Sequence, residues 1–145
     1  LEIEILTKDY VLEKGVDFEE ELWFSLPYGD IVIDAEKNGN PFTGLAYELH
    51  NNGNLAYYAY YKNGVNDGEM VEFYDNGNVE SISNILKGAS NGYQVSYFEN
   101  GEKRLEGEYF IGIPIKYKKW DETGDLIEEK KNPDESDLKY MEKFN

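Results

Sequence analysis

Hydrolysis of the serine or cysteine type needs a nucleophile paired with a base, and this sequence offers a single imidazole, His50, and no cysteine. His50 stands beside Asn51-Asn52 at an expected strand end and reads as a turn-flanking polar residue. Carboxylates are plentiful, 30 Asp and Glu in all, and two suffice for glycosidase chemistry. They are scattered, however, and no Asp-x-Asp-x-Asp-Gly loop or His-Glu-x-x-His helix gathers them. We therefore assign no catalytic residue and expect no metal and no cofactor. The chemistry left is recognition. Glu19, Glu20 and Glu21 run into Leu22-Trp23-Phe24, a charge cluster beside large aromatics able to bind a basic protein, with a capped strand entering the core after a polar turn as the favoured reading.

Charge narrows the partner. Thirty acids against 14 Lys and Arg leave −16, which repels phosphate backbones and anionic lipid alike, so neither nucleic acid nor membrane is an expected partner. Residues 1–100 hold 18 acids and 5 Lys (−13), and residues 101–145 hold 12 acids and 9 bases (−3). Attraction for a basic partner should be strongest toward the N-terminal side. No apolar run reaches the roughly 20 residues of a membrane helix. The expected location is cytoplasmic, or the cell envelope if a leader preceded Leu1.

These residues must be positioned by strands, since 13 Tyr and few Met favour a half-buried pleated surface. Gly44, Gly68 and Gly92 recur every 24 residues, in step with Asn52-Gly53, Asn76-Gly77 and Asn100-Gly101 and with Gly64, Gly88 and Gly112. A fourth unit is one residue short, with Trp120 in the Phe73 and Tyr97 column and Thr123-Gly124 replacing Asn-Gly. Asn-Gly is read as a type I′ turn, which needs positive φ at both central positions. The fold class is therefore all-β (mainly β), an elongated antiparallel meander of hairpins. Residues 1–35 form capping strands (1–6, 21–26 and 30–35, with a turn at Tyr28-Gly29-Asp30), 36–131 four repeats, and 132–145 a tail or a short helix N-capped by Ser136 and carrying Leu138, Met141 and Phe144.

Strict alternation sorts the faces. One collects Leu45, Tyr47, Leu49, Leu55, Tyr57, Tyr61, Val71, Phe73, Val79, Ile85, Tyr93, Val95, Tyr97, Leu105 and Tyr109 and is the expected core. The other carries Glu48, His50, Tyr58, Tyr60, Glu72, Tyr74, Glu80, Ile82, Ser96, Phe98, Arg104, Glu106 and Glu108. From that acidic, aromatic face we take Tyr58, Tyr60, Tyr74, Phe98, Glu48, Glu72, Glu80, Glu106 and Glu108 as partner-binding, together with Glu19, Glu20 and Glu21. The Tyr58 and Tyr60 rings have an equal alternative, packing beneath the N-terminal segment as part of a second layer. Base stacking on these rings is disfavoured by the surrounding acids.

Asn40-Pro41-Phe42-Thr43-Gly44, Asn51-Asn52-Gly53-Asn54-Leu55, Tyr61-Lys62-Asn63-Gly64 and Tyr74-Asp75-Asn76-Gly77 resemble the MORN-variant repeat family over roughly residues 36–131. Lys103 in the Leu55 and Val79 column, Gly88-Ala89-Ser90 and the shortened last unit depart from its pattern. The repeat is specific for the architecture and carries no catalytic residues. Bacterial members include antitoxins or immunity proteins of polymorphic toxin systems. The resemblance implies a protein-binding module that masks a cognate basic toxin, of nuclease or deaminase type. The alternative is a cell-envelope or scaffold interaction module.

Overall fold

A computed structural model of the chain describes residues 4–24, 32–34 and 39–145. In chain order its elements are α1 Lys8–Lys14, β1 Val16–Asp17, α2 Phe18–Glu21, β2 Leu22–Phe24, β3 Val32–Asp34, β4 Asn40–Pro41, β5 Gly44–Leu49, β6 Leu55–Lys62, β7 Val65–Phe73, β8 Val79–Leu86, β9 Ala89–Tyr97, β10 Lys103–Phe110, β11 Ile113–Trp120, β12 Leu126–Lys130 and α3 Glu135–Phe144. Strands β5 to β12 pair consecutively and antiparallel, β1 adds in parallel to the β5 edge, and β2, β3 and β4 form a separate small sheet.

The two glycine columns make two different turns, and the Asn-Gly column is not the type I′ one. At residues 50–54 the His50 N–H donates to the Asn54 carbonyl (2.8 Å) and the Gly53 N–H to the His50 carbonyl (2.9 Å). The same pair of bonds recurs at residues 74–78, 98–102 and 121–125. Only the glycine has positive φ, 89° at Gly53, and the Asn52 carboxamide caps the Asn54 N–H at 2.9 Å. This is a three-residue loop closed by a left-handed glycine. Both-positive pairs occur instead between units, at Asn63-Gly64, Lys87-Gly88 and Ile111-Gly112.

Each second strand begins with a bulge. Glu48 faces Tyr57 while Leu49 faces Leu55, so Ala56 has no partner of its own, and register shifts in the same place at Glu80, Arg104 and Ile127. One extra residue inverts the alternation beyond it. The inner face therefore carries the row Tyr47, Tyr58, Val71, Ile82, Val95, Glu106, Lys118, Glu129 across eight strands. The outer face carries Glu48, Tyr57, Glu72, Ser81, Ser96, Leu105, Lys119, Glu128. This corrects the expected faces: Tyr58, Tyr60 and Ile82 belong with the core, and Tyr57 and Leu105 lie opposite it.

The inner core joins Leu45, Leu55, Tyr58, Val71, Ile82 and Val95 to Val11 of α1, with Ile5 and Leu6 packed against it. The chain then passes the β5 edge as β1 and packs Phe18 and Leu22 with Phe42 and Ala46 on the outer face. The N-terminal segment is thus more helical than expected. Residues 4–7 are not a strand, Glu21 ends α2 instead of starting a strand, and residues 28–30 lie outside the described residues. At the other end Asp134, not Ser136, caps α3 through a capping box with Asp137. Its docking side chain is Tyr140, whose hydroxyl donates to the Ile111 carbonyl at 2.9 Å, while Leu138 and Phe144 stay exposed.

Gly68 has φ of 122°, and a Cβ there would meet the Tyr60 Cβ at 3.1 Å, whereas Gly53 has open space around it. Gly53→Ala should cost about 1 kcal/mol of backbone strain and Gly68→Ala about 2–3 kcal/mol once crowding is added. Urea unfolding midpoints check this, and an equal or reversed order would contradict it.

Candidate functional site

Neighbouring units are tied through side chains at their loop ends. His50 Nε2 lies 2.8 Å from the Phe73 carbonyl, and the Tyr74 hydroxyl donates to the Tyr97 carbonyl at 2.7 Å. Asn52 and Asn54 both donate to the Asp75 carbonyl, and Asn78 donates to the Glu99 carbonyl. His50 is therefore bound as a bridge between units. Among the described residues no group of three or more His, Asp and Glu could hold a metal ion, and no helix is long and apolar enough to cross a membrane.

The proposed contact residues separate into four places. Tyr58 is fully buried (0% exposed). Its hydroxyl accepts the Leu6 N–H at 3.0 Å, and burial pushes its phenol up to about 12. Tyr60 is half-buried against the same cluster. Both rings lie beneath the N-terminal segment, the second of the two alternatives, and Tyr58 has no surface to offer a partner. Glu106 and Glu108 lie on the inner face beyond the core, opposite Lys118 and Lys116. Lys103 donates to Glu106 at 2.7 Å and holds its carboxyl below the usual range.

The remaining acids gather on the outer face. Glu48 and Glu72 flank Tyr57 in one cross-strand row, and Glu80, the bulge residue, stands near Glu72. Burial raises the Glu48 carboxyl, with Glu19 and Asp17 adding to the rise; burial and then Glu80 raise Glu72. Tyr57 is pushed upward too, chiefly by burial. Glu19 and Glu20 are exposed, and the Glu21 carboxylate accepts the Asp17 N–H at 3.1 Å. Beside them Trp23 is 48% and Phe24 55% exposed. Tyr74 and Phe98 sit at the loop ends, Phe98 beneath the Arg104 guanidinium, 6.0 Å from ring centroid to Cζ. The sequence reading placed Trp23 and Phe24 beside the acidic run but left both, and Arg104, out of the partner-binding set; the two rings are exposed. The bulges that reorder the faces did leave a trace, since Leu55/Tyr58 and Val79/Ile82 are apolar pairs three apart where alternation calls for two.

A single-layer sheet of 24-residue hairpins with an acidic face is the architecture of a repeat module. The family model described as MORN repeat variant matches residues 42–63 and 66–86, so these two units are similar to MORN-variant repeats. The chain is similar to "Immunity protein YwqK" of Bacillus subtilis (strain 168), 54% identical over 59 residues, which are 40% of this chain. The match spans only 38% of that relative's length. No solved structure matches the chain.

A carboxyl raised by burial binds its proton more tightly folded than unfolded. Its contribution is therefore most favourable below the ordinary Glu value and is lost as pH climbs through the raised one. Glu72→Gln should raise the melting temperature at pH 7, with the gain vanishing as pH falls below about 4. A gain that grows toward low pH would contradict the assignment.

Proposed function

We propose that the chain is a non-catalytic immunity module that neutralises a basic toxin domain, of nuclease or deaminase type, by covering its active-site region in the cytoplasm. The observation that carries this reading is the concentration of net negative charge, −13 of the net −16, in residues 1–100, where bases are few. Similarity to a protein named an immunity protein supports it. Glu19, Glu20, Glu48, Glu72 and Glu80 supply a negative field over the outer face and its N-terminal edge. Such a field speeds encounter with a positive domain more than it tightens the final complex. Anchoring falls to the exposed Trp23 and Phe24 rings, because large aromatics near a charged rim dominate interface energetics.

Co-expression with the product of the neighbouring gene should restore growth if that product is the toxin. With the purified pair, the combined Glu48→Gln, Glu72→Gln, Glu80→Gln variant should slow association and flatten its salt dependence, leaving dissociation nearly unchanged. Trp23→Ala should instead speed dissociation by roughly tenfold or more. Parent-like kinetics for both variants would remove this surface from the interface.

A further inference from the structure

Arg104 is the only arginine of the chain, and it occupies the bulge column, following Ala56 and Glu80 and preceding Ile127. Bulges re-aim side chains, and two consecutive ones here border a single groove. The groove, about 540 Å³, is lined chiefly by apolar surface, with Phe98, Leu105, Trp120 and Ile127 (64% exposed) beside the cations Arg104 and Lys119 and the acids Asp121 and Glu122. Lys119 is engaged by Glu128 at 3.7 Å. Arg104 forms no ion pair within 4.0 Å among the described residues, although Asp121 and Glu122 share its groove; its Nε makes one long contact to Ser96 Oγ (3.5 Å). In a chain with 30 acids, a guanidinium without an ion pair, braced on a ring, is available for a planar charge-assisted contact.

The fold already shows what this face accepts. Two units upstream, Tyr57 holds the position of Leu105 in the outer row, and the Phe18 ring covers it with centroids 6.5 Å apart. Phe18 is followed directly by Glu19, Glu20 and Glu21. In that unit the bulge residue is Ala56; under the uncovered Leu105 it is Arg104. We propose that the groove docks a segment of a partner protein presenting an aromatic ring followed by a carboxylate. The ring lies against Leu105, Trp120 and Ile127, and the carboxylate lies on Arg104. The proposal rests on the reading of the chain as a protein-binding module, but its test requires no toxin.

The probes are two blocked tetrapeptides, acetyl-Gly-Phe-Glu-Gly-amide and acetyl-Gly-Phe-Gln-Gly-amide, titrated into the ¹⁵N-labelled full chain at physiological ionic strength. Amide shifts should centre on Phe98, Leu105 and Ile127 with the Trp120 indole. The Glu peptide should bind about fivefold tighter than the Gln peptide, as expected for a charge-assisted contact at a partly exposed site. Arg104→Gln should abolish that preference while leaving weaker binding of both peptides. The proposal is overturned by shifts centred elsewhere, by no shifts at about 10 mM peptide, the weak end of fragment-like affinity, or by a preference that survives in Arg104→Gln. Loss of toxin capture with the peptide preference intact would sink the toxin reading alone.

Discussion

A sheet of one layer has nothing to close its apolar face, and that constraint shapes the molecule. The inner row is apolar or aromatic from Tyr47 to Val95 and then turns to Glu106, Lys118 and Glu129. The change comes where the N-terminal segment stops covering it: Ile5, Leu6 and Val11 pack on the first part, and the charged part stands open. Burial of each such side chain is worth about 1.5–3 kcal/mol. One stretch of chain supplies this cover, pairs with the β5 edge and then covers the opposite face with Phe18 and Leu22. The same passage leaves acids on the outer surface, where burial raises the Glu48 carboxyl and Glu19 and Asp17 add to the rise.

Register along the sheet depends on side chains as well as strand pairing. Thr43, Asp67 and Asn91 each accept the N–H of the residue 20 positions on, at Asn63, Lys87 and Ile111. At the opposite ends of the strands His50, Tyr74, Asn52 and Asn78 reach the next unit's carbonyls. The half-buried bonds of this set, at His50, Tyr74 and Ile111, contribute about 1 kcal/mol each, and repetition of the whole set at fixed offsets penalises any slip of one unit against the next. The column residues are thus kept by the geometry between units, and this leaves the faces free to vary from Tyr57 to Ser81 to Leu105.

Much of this architecture was legible because period and turn chemistry are local. The glycine columns located every hairpin from Gly44 to Lys130. The two-residue alternation failed at Ala56, Glu80 and Arg104, because a bulge adds a residue without changing composition, and so the Tyr58 and Tyr60 rings were read onto the wrong face. The N-terminal helices escaped because their stability comes from docking: α1 buries only Val11 and α2 is four residues long. The acidic surface was legible in part. Glu48, Glu72 and Glu80 do share a face, whereas Glu106 and Glu108 lie on the other one among lysines.

The central claim is that the N-terminal segment serves as the missing second layer for the first hairpins. Native-state hydrogen exchange on parent and Val11→Asn chains tests it most directly, because Val11 is wholly buried against Leu45 and Tyr58. A polar group left unpaired there should cost on the order of 2 kcal/mol or more. Amide protection in β5 to β8 should therefore fall by about tenfold or more, while β11 and β12, beyond the reach of α1, keep theirs. Unchanged protection in β5 to β8 would contradict the account.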